Sequence, residues 1–188
     1  FHYARHSKTR LQSRDGFFRF IERYPGLSRS VPCNIYAVTA RDSLLDYDTY
    51  RTIMSSSGIP FTEGALPGIG LTNVDGVMCV SERVLLLTKA RKYFETELKG
   101  ALELGRKVSS VQDVDDGVLI DGEHFDFAVD ATWGHYLDLD FPVMYEATLL
   151  LYYEGPPDFP AVTLVDGPPD STYPTEVPGL FTWSSVTY

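Results

Sequence analysis

The run HFDFAVDATWG, His124 to Gly134, carries an apolar stretch straight into Ala131, Thr132, Trp133 and Gly134. Small residues and glycine at such a point let main-chain N–H groups approach a flat or negatively charged ligand closely. The plainer reading of the same residues is a strand that ends in a turn, with Trp133 filling a hydrophobic gap. Arg83, in SERVLL, sits where a strand turns toward a helix. Its guanidinium can grip a substrate carboxylate by a two-pronged hydrogen bond, or pair with a surface glutamate. Tyr152 and Tyr153 are adjacent on an expected strand, so they face opposite sides and at most one lines a pocket.

Several other chemistries lack their residues. His2 and His6 have helical ligand spacing, but no carboxylate stands between them as in a zinc protease. No GxSxG elbow, Walker loop or GxGxxG fingerprint is present. Cys33 and Cys79 form no CxxC pair, so free thiols in a reducing compartment, and a cytoplasmic location, are expected.

The elements that would position these residues follow from periodicity. Residues 7–24 place Phe17, Phe20, Ile21 and Tyr24 at helical spacing, with Ser7 as a cap and Pro25-Gly26 as a stop. NIYAVTA, 34–40, reads as a strand, and Asp46 or Ser43 can cap a short helix that Gly58 ends. Residues 58–76 read as loop with at most one short strand, and 76–87 begins as a strand. Thr88 opens a helix with Ala90, Tyr93, Phe94 and Leu98 on one face. From Lys107 the period changes. KVSSVQDV, VLI and FDFAVDA are separated by Asp-Asp-Gly and Asp-Gly turn signals, which predicts a three-stranded meander laid on a larger sheet. FDFAVDA, nearly continuous in its apolar residues, is expected to be buried on both faces. EATLLLYYEG, PAVTLVDGP and GLFTWSSVTY read as antiparallel strands.

The 188 residues suit one domain or two small ones. A net charge of −10 argues against a nucleic-acid or anionic-membrane surface. Residues 1–30 run the other way, with seven basic residues against Asp15 and Glu22, which suggests a small anion or an acidic neighbour as a contact, or a solvated helix face. No apolar run is long enough for a membrane span, and no signal peptide is visible. The chain starts at FHYARHS without a methionine, as if entered in mid-fold.

KVSSVQDVDDGVLIDGEHFDFAVDATWG resembles, along its whole length, a segment of FAD-dependent oxidoreductases of the D-amino-acid-oxidase-like superfamily. In that family a strand, a hairpin and a further strand lead into a short Ala/Thr/Gly segment. FHYARHS also resembles a motif that one bacterial branch carries into the flavin and substrate region. The resemblance implies an α/β (α+β) architecture: an incomplete Rossmann-like FAD domain with a β-meander, interleaved with a mostly antiparallel substrate sheet. Residues 1–29 and 84–135 would belong to the first, and 30–83 and 136–188 to the second. It implies FAD as cofactor. Val108 would face the adenine, Ala131, Thr132, Trp133 and Gly134 would pass the diphosphate and ribose, and His2, Tyr3 and Arg5 would also contact the cofactor. Arg83, Tyr145 and Tyr152 would meet a small-molecule substrate. The implied reaction is oxidation of an amine, amino acid or hydroxyl compound by hydride transfer to flavin. The family's glycine-rich fingerprint and C-terminal glycine segment are not in this sequence, so the chain as given is expected to bind FAD weakly or not at all. Either it is a portion of a longer protein, or a non-catalytic relative keeps the sheet to bind a protein partner or a second copy.

Overall fold

Helix α1 (Ser7–Arg23) is capped by His6, not by Ser7: the His6 ring accepts the Thr9 amide at 3.1 Å. Phe17, Phe20 and Ile21 are only half-buried, and the one fully buried residue of this helix is Arg10. Strands β1 (Ser28–Ser30), β2 (Asn34–Thr39), helix α2 (Tyr47–Ser56), and strands β3 (Phe61–Glu63), β4 (Val74–Val80) and β5 (Arg83–Leu85) follow. Then come α3 (Leu87–Glu97), β6 (Val111–Val114), β7 (Gly117–Ile120), β8 (Glu123–Phe125), β9 (Leu149–Glu154), β10 (Ala161–Val165), β11 (Asp170–Pro174) and β12 (Leu180–Ser185). This is a computed structural model. It describes all residues except 65–67, 133–135, 137–141, 143–147, 167–169 and 186–188. The architecture is mixed α+β, and among the described residues no helix is long and apolar enough to cross a membrane. The chain divides into two units, Phe1–Phe94 with Thr148–Tyr188, and Glu95–Ala147.

The first unit is built on a seven-stranded sheet of order β3-β4-β2-β10-β11-β12-β9. Only β2 and β10 run parallel; every other neighbour is antiparallel. Every residue of β2 is buried, as a central strand of Ile, Tyr and Val requires. Register sorts the side chains onto two chemically different faces. One carries Tyr36, Val38, Met78 and Val165 under Tyr50 and Met54 of α2, and continues outward through Tyr173, Thr182 and Tyr152. The other carries Ile35, Ala37, Val162 and Leu164, and continues through Phe181 to Trp183 and Leu151.

Asp46 caps α2 by accepting the Thr49 amide at 2.7 Å, and Gly58, at φ +63°, ends it. Tyr47, the first residue of α2, lies flat on the sheet at Gly76. A Cβ there would fall 2.1 Å from the Tyr47 ring, and the Tyr47 hydroxyl donates to Val77 O at 2.9 Å. Gly76→Ala is therefore expected to cost about 2 kcal/mol in urea denaturation by overpacking. The same change in a Tyr47→Ala background is expected to cost little, because the ring it strikes is gone.

Two expectations from the sequence are corrected. Cys33 and Cys79 are not free thiols but are disulfide-bonded. Strands β2 and β4 are neighbours with Ile35 opposite Cys79, which puts Cys33 on the diagonal with a Cα–Cα separation of 5.8 Å. The argument from free thiols to a reducing compartment loses its basis. The meander forms a sheet of its own, β6-β7-β8, within Glu95–Ala147. Its third strand stops at Phe125, whereas FDFAVDA was expected to continue as a strand buried on both faces. Phe127 and Val129 are 77% and 80% exposed, because this backbone joins no ladder among the described residues.

Candidate functional site

The meander is pinned at both turns. Gly117 opens β7 against β8 so closely that a Cβ would lie 2.2 Å from Phe125 O, which only glycine allows. Asp121 and Gly122 both have positive φ, 50° and 84°, and turn β7 into β8. The Asp121 carboxylate reaches back to accept the amides of Ser109 and Ser110 at 2.8 and 2.9 Å. Those two bonds hold the segment beside Val108. The backbone amides of Ser109 and Ser110 keep the Asp121 pKa below its ordinary value of 3.8. A depressed carboxylate pKa contributes stability above the unfolded pKa and loses it as pH falls through the folded one. The Ser109 and Ser110 amide shifts are thus expected to titrate with a midpoint below 3.8 in NMR, and to stop titrating in Asp121→Asn. A wild-type midpoint at or above 3.8 would remove Asp121 from this role.

Against this meander lies a cleft of about 300 Å³. Val108, Val111, Val118, Ile120 and Val129 make its apolar wall, and Asp113, Asp130, Thr132 and Tyr136 make its polar edge. Period two explains the wall: Val118 and Ile120 alternate onto the same side of β7, as Val111 and Asp113 do on β6. Asp130 Oδ1 accepts both the Thr132 amide, at 2.8 Å, and its hydroxyl, at 2.6 Å. The Thr132 hydroxyl in turn accepts the Tyr136 amide at 3.1 Å. A flat apolar wall with acceptor carboxylates at its rim suits a planar ring that carries hydroxyl or amino donors. It suits a phosphate poorly. Asp113 and Asp130 are both at the rim, and Glu95–Ala147 holds 13 acidic residues against three basic ones.

Val108 and Thr132, singled out from the sequence, line this one cleft, and Ala131 sits exposed beside Thr132. Trp133 and Gly134 lie outside the described residues, as does Tyr145. The sequence reading missed Asp113, Asp130 and Asp121. Alternation in VQDV and the Asp-Gly turn were the available signals.

His2, Tyr3 and Arg5 belong to the sheet unit. The His2 ring stacks on Tyr3 at 4.4 Å and meets the Tyr36 ring edge-on at 6.2 Å. Arg5 Nε pairs with Asp166 Oδ1 at 2.7 Å. The segment is clamped from below by Arg10, a residue the sequence reading left as one charge among many. Arg10 Nη1 donates to Tyr3 O and Ala4 O at 2.7 and 2.8 Å, and Nε donates to Ser57 Oγ at 2.7 Å.

Arg83 cross-links β1 to β5, donating to Ser28 Oγ, Ser30 Oγ and Ser28 O at 2.8 to 2.9 Å. It also borders a cavity of about 260 Å³ walled by Phe17, Phe20, Ile21 and Leu85. Tyr152 and Tyr153 separate as strand geometry requires. Tyr153 stacks on Phe181 at 5.5 Å, whereas Tyr152 stands opposite Thr182 on the other face, 64% exposed.

Next to Arg83, Glu82 collects hydroxyls that the sequence reading did not connect. Tyr36 donates to Oε1 and Tyr173 to Oε2, the latter at 3.2 Å. Burial first, and then the Glu82 charge, hold both phenol pKa values above the ordinary range, so both remain donors.

Over 186 residues the chain is 78% identical to an FAD-dependent monooxygenase, FPY4, of Fusarium mangiferae. The match covers 99% of this chain and 50% of that protein, so the chain spans about half the length of this curated relative. No family model and no solved structure matches.

Proposed function

We propose that this chain is part of an FAD-dependent oxidoreductase of the monooxygenase type, and that the meander cleft receives the nucleoside end of FAD. The observation that carries the reading is that Val108 and Thr132, matched from sequence to nucleotide-contacting positions, line one cleft of apolar wall and acceptor rim. The 78% identity to a protein named for FAD and monooxygenation supports it.

The residues fit adenosine better than diphosphate. Val108, Val111, Val118 and Ile120 would cover the adenine faces, and Asp113 or Asp130 would accept from the ribose hydroxyls. The Thr132 amide already donates to Asp130, so its work is to fix that carboxylate. Ala131, exposed beside Thr132, would continue the rim. Arg83 and Tyr152 would contact a small polar substrate. Bound flavin would supply the two-electron chemistry, and the protein would supply position, charge and exclusion of water.

The test is a fluorescence titration of FAD with the purified protein. Saturable quenching is expected. Colourless protein that leaves the fluorescence of added FAD unchanged contradicts the proposal and favours a non-catalytic sheet.

A further inference from the structure

The cavity of about 260 Å³ at Arg83 has two walls, both within the sheet unit. Phe17, Phe20 and Ile21 stand at i, i+3 and i+4 on α1, so they share one face of that helix. All three are only half-buried. The other wall is the β1–β5 ladder. Ser28 pairs with Leu85 and Ser30 with Arg83, and directly opposed residues share a face of a strand pair. Period two puts Ser28 and Ser30 on that same face. The Arg83 side chain lies along it, its guanidinium on Ser28 and Ser30, and Ser28, Arg83 and Leu85 line the cavity. Glu82, one residue earlier, turns to the opposite face, where Tyr36 and Tyr173 donate to it.

This wall offers donors and positive charge. Arg83 commits Nε to Ser28 Oγ, Nη1 to Ser30 Oγ and Nη2 to Ser28 O. A guanidinium has a second N–H on each terminal nitrogen, and neither has an acceptor among the described residues. Ser28 Oγ accepts from Arg83, and its own proton has no acceptor among the described residues. None of the six lining residues is acidic, and the three acceptors of Arg83 include no carboxylate.

Uncommitted donors beside a full positive charge call for an anionic acceptor, and a planar carboxylate matches the guanidinium fork. An ammonium or an uncharged hydroxyl compound would leave that charge unmatched. A phosphate would press polar oxygens against Phe17, Phe20, Ile21 and Leu85, which have no donor for them. A free amino acid fits no better, since no lining carboxylate takes its ammonium. An apolar cavity of about 150 Å³ holds benzene, so this one holds a ring with a short acid side chain.

We propose that the space between α1 and the β1–β5 ladder binds a hydrophobic monocarboxylate that lacks an amino group. Its apolar body lies among Phe17, Phe20, Ile21 and Leu85, and its carboxylate meets Arg83 and Ser28. As the substrate class of the oxidoreductase this rests on the function proposed above, whose Arg83 contact it specifies; as a binding property it stands without flavin.

The experiment is an NMR titration of the flavin-free protein carrying ¹³C-methyl-labelled isoleucine and leucine. The probes are phenylacetate, phenylacetamide, free phenylalanine and inorganic phosphate. Phenylacetate is expected to shift the Ile21 and Leu85 methyl signals saturably, and the other three to bind at least about tenfold more weakly. Arg83→Gln is expected to weaken phenylacetate binding at least about tenfold. That change also removes bonds across the β1–β5 ladder, so Leu85→Asp serves as a second variant. Leu85 is 40% exposed, and its replacement leaves the serine bonds of Arg83 in place while setting a negative charge in the wall. It too is expected to weaken phenylacetate binding, read at the Ile21 methyl. Methyl signals that phenylacetate leaves still, equal affinity for any of the other three probes, or unchanged phenylacetate affinity in both variants would overturn the assignment. Because no flavin is present, failure here is distinct from failure to bind FAD.

Discussion

Val108→Asp is expected to weaken FAD binding at least about tenfold, or roughly 1.4 kcal/mol, while leaving the fold intact. Val108 is half-buried at the end of the wall formed by Val111, Val118 and Ile120, so a polar side chain there can turn to water without breaking the core. It would put a third carboxylate into a cleft that already holds Asp113 and Asp130, and take away part of the flat surface that an adenine would cover. Val108→Ile, which keeps the wall, is expected to keep the affinity. Fluorescence titration with FAD reads the effect, and an unchanged circular dichroism spectrum verifies the fold. Equal affinity in wild type and Val108→Asp would place the ligand elsewhere.

The largest effect on stability is expected at Arg10. The side chain is 6% exposed and donates to two main-chain carbonyls and one hydroxyl, with no carboxylate among those three acceptors. Arg10→Ala would leave Tyr3 O, Ala4 O and Ser57 Oγ without that donor and empty a volume at the foot of α2. Hydrogen bonds to a charged group, and the penalty of stranding buried acceptors, put the loss at about 3 kcal/mol. Arg10→Lys keeps the charge but not the fork, and is expected to recover only part of it. Urea denaturation measures both. The accompanying sign is loss of the His2–Tyr3 ring stacking, visible as altered ring shifts, because the backbone that carries both rings is what Arg10 holds.

Elements with strong local signals were legible in the sequence. Asp46 and Gly58 bracket α2 as their residue types require, and the Asp-Gly turns divide the meander where expected. What was hidden depended on partners distant in the chain. DSTYP raised no strand expectation, yet it is β11, held between β10 and β12 by register. SRS and RVL are too short to announce themselves and pair because Arg83 and Ser28 join them. The same holds for the candidate sites. Val108 and Thr132 were named through the family resemblance of the segment around them. Asp121 was read as a turn residue only, since nothing in its neighbourhood shows that its carboxylate caps Ser109 and Ser110. Glu82 was invisible because Tyr36 and Tyr173, 46 and 91 positions away, complete its cluster. Cys33 and Cys79 likewise meet only because β2 lies beside β4.

The central claim is that the cleft bordered by Val108 and Thr132 takes the adenosine part of FAD. Backbone NMR of uniformly ¹⁵N-labelled protein, titrated with FAD and with adenosine, tests it residue by residue and detects weak binding. The prediction is that both ligands move the amides of Val108, Val111, Val118, Ile120 and Thr132 together, in one saturable process. A titration in which FAD binds but those amides stay still, or in which adenosine moves a different set, contradicts it.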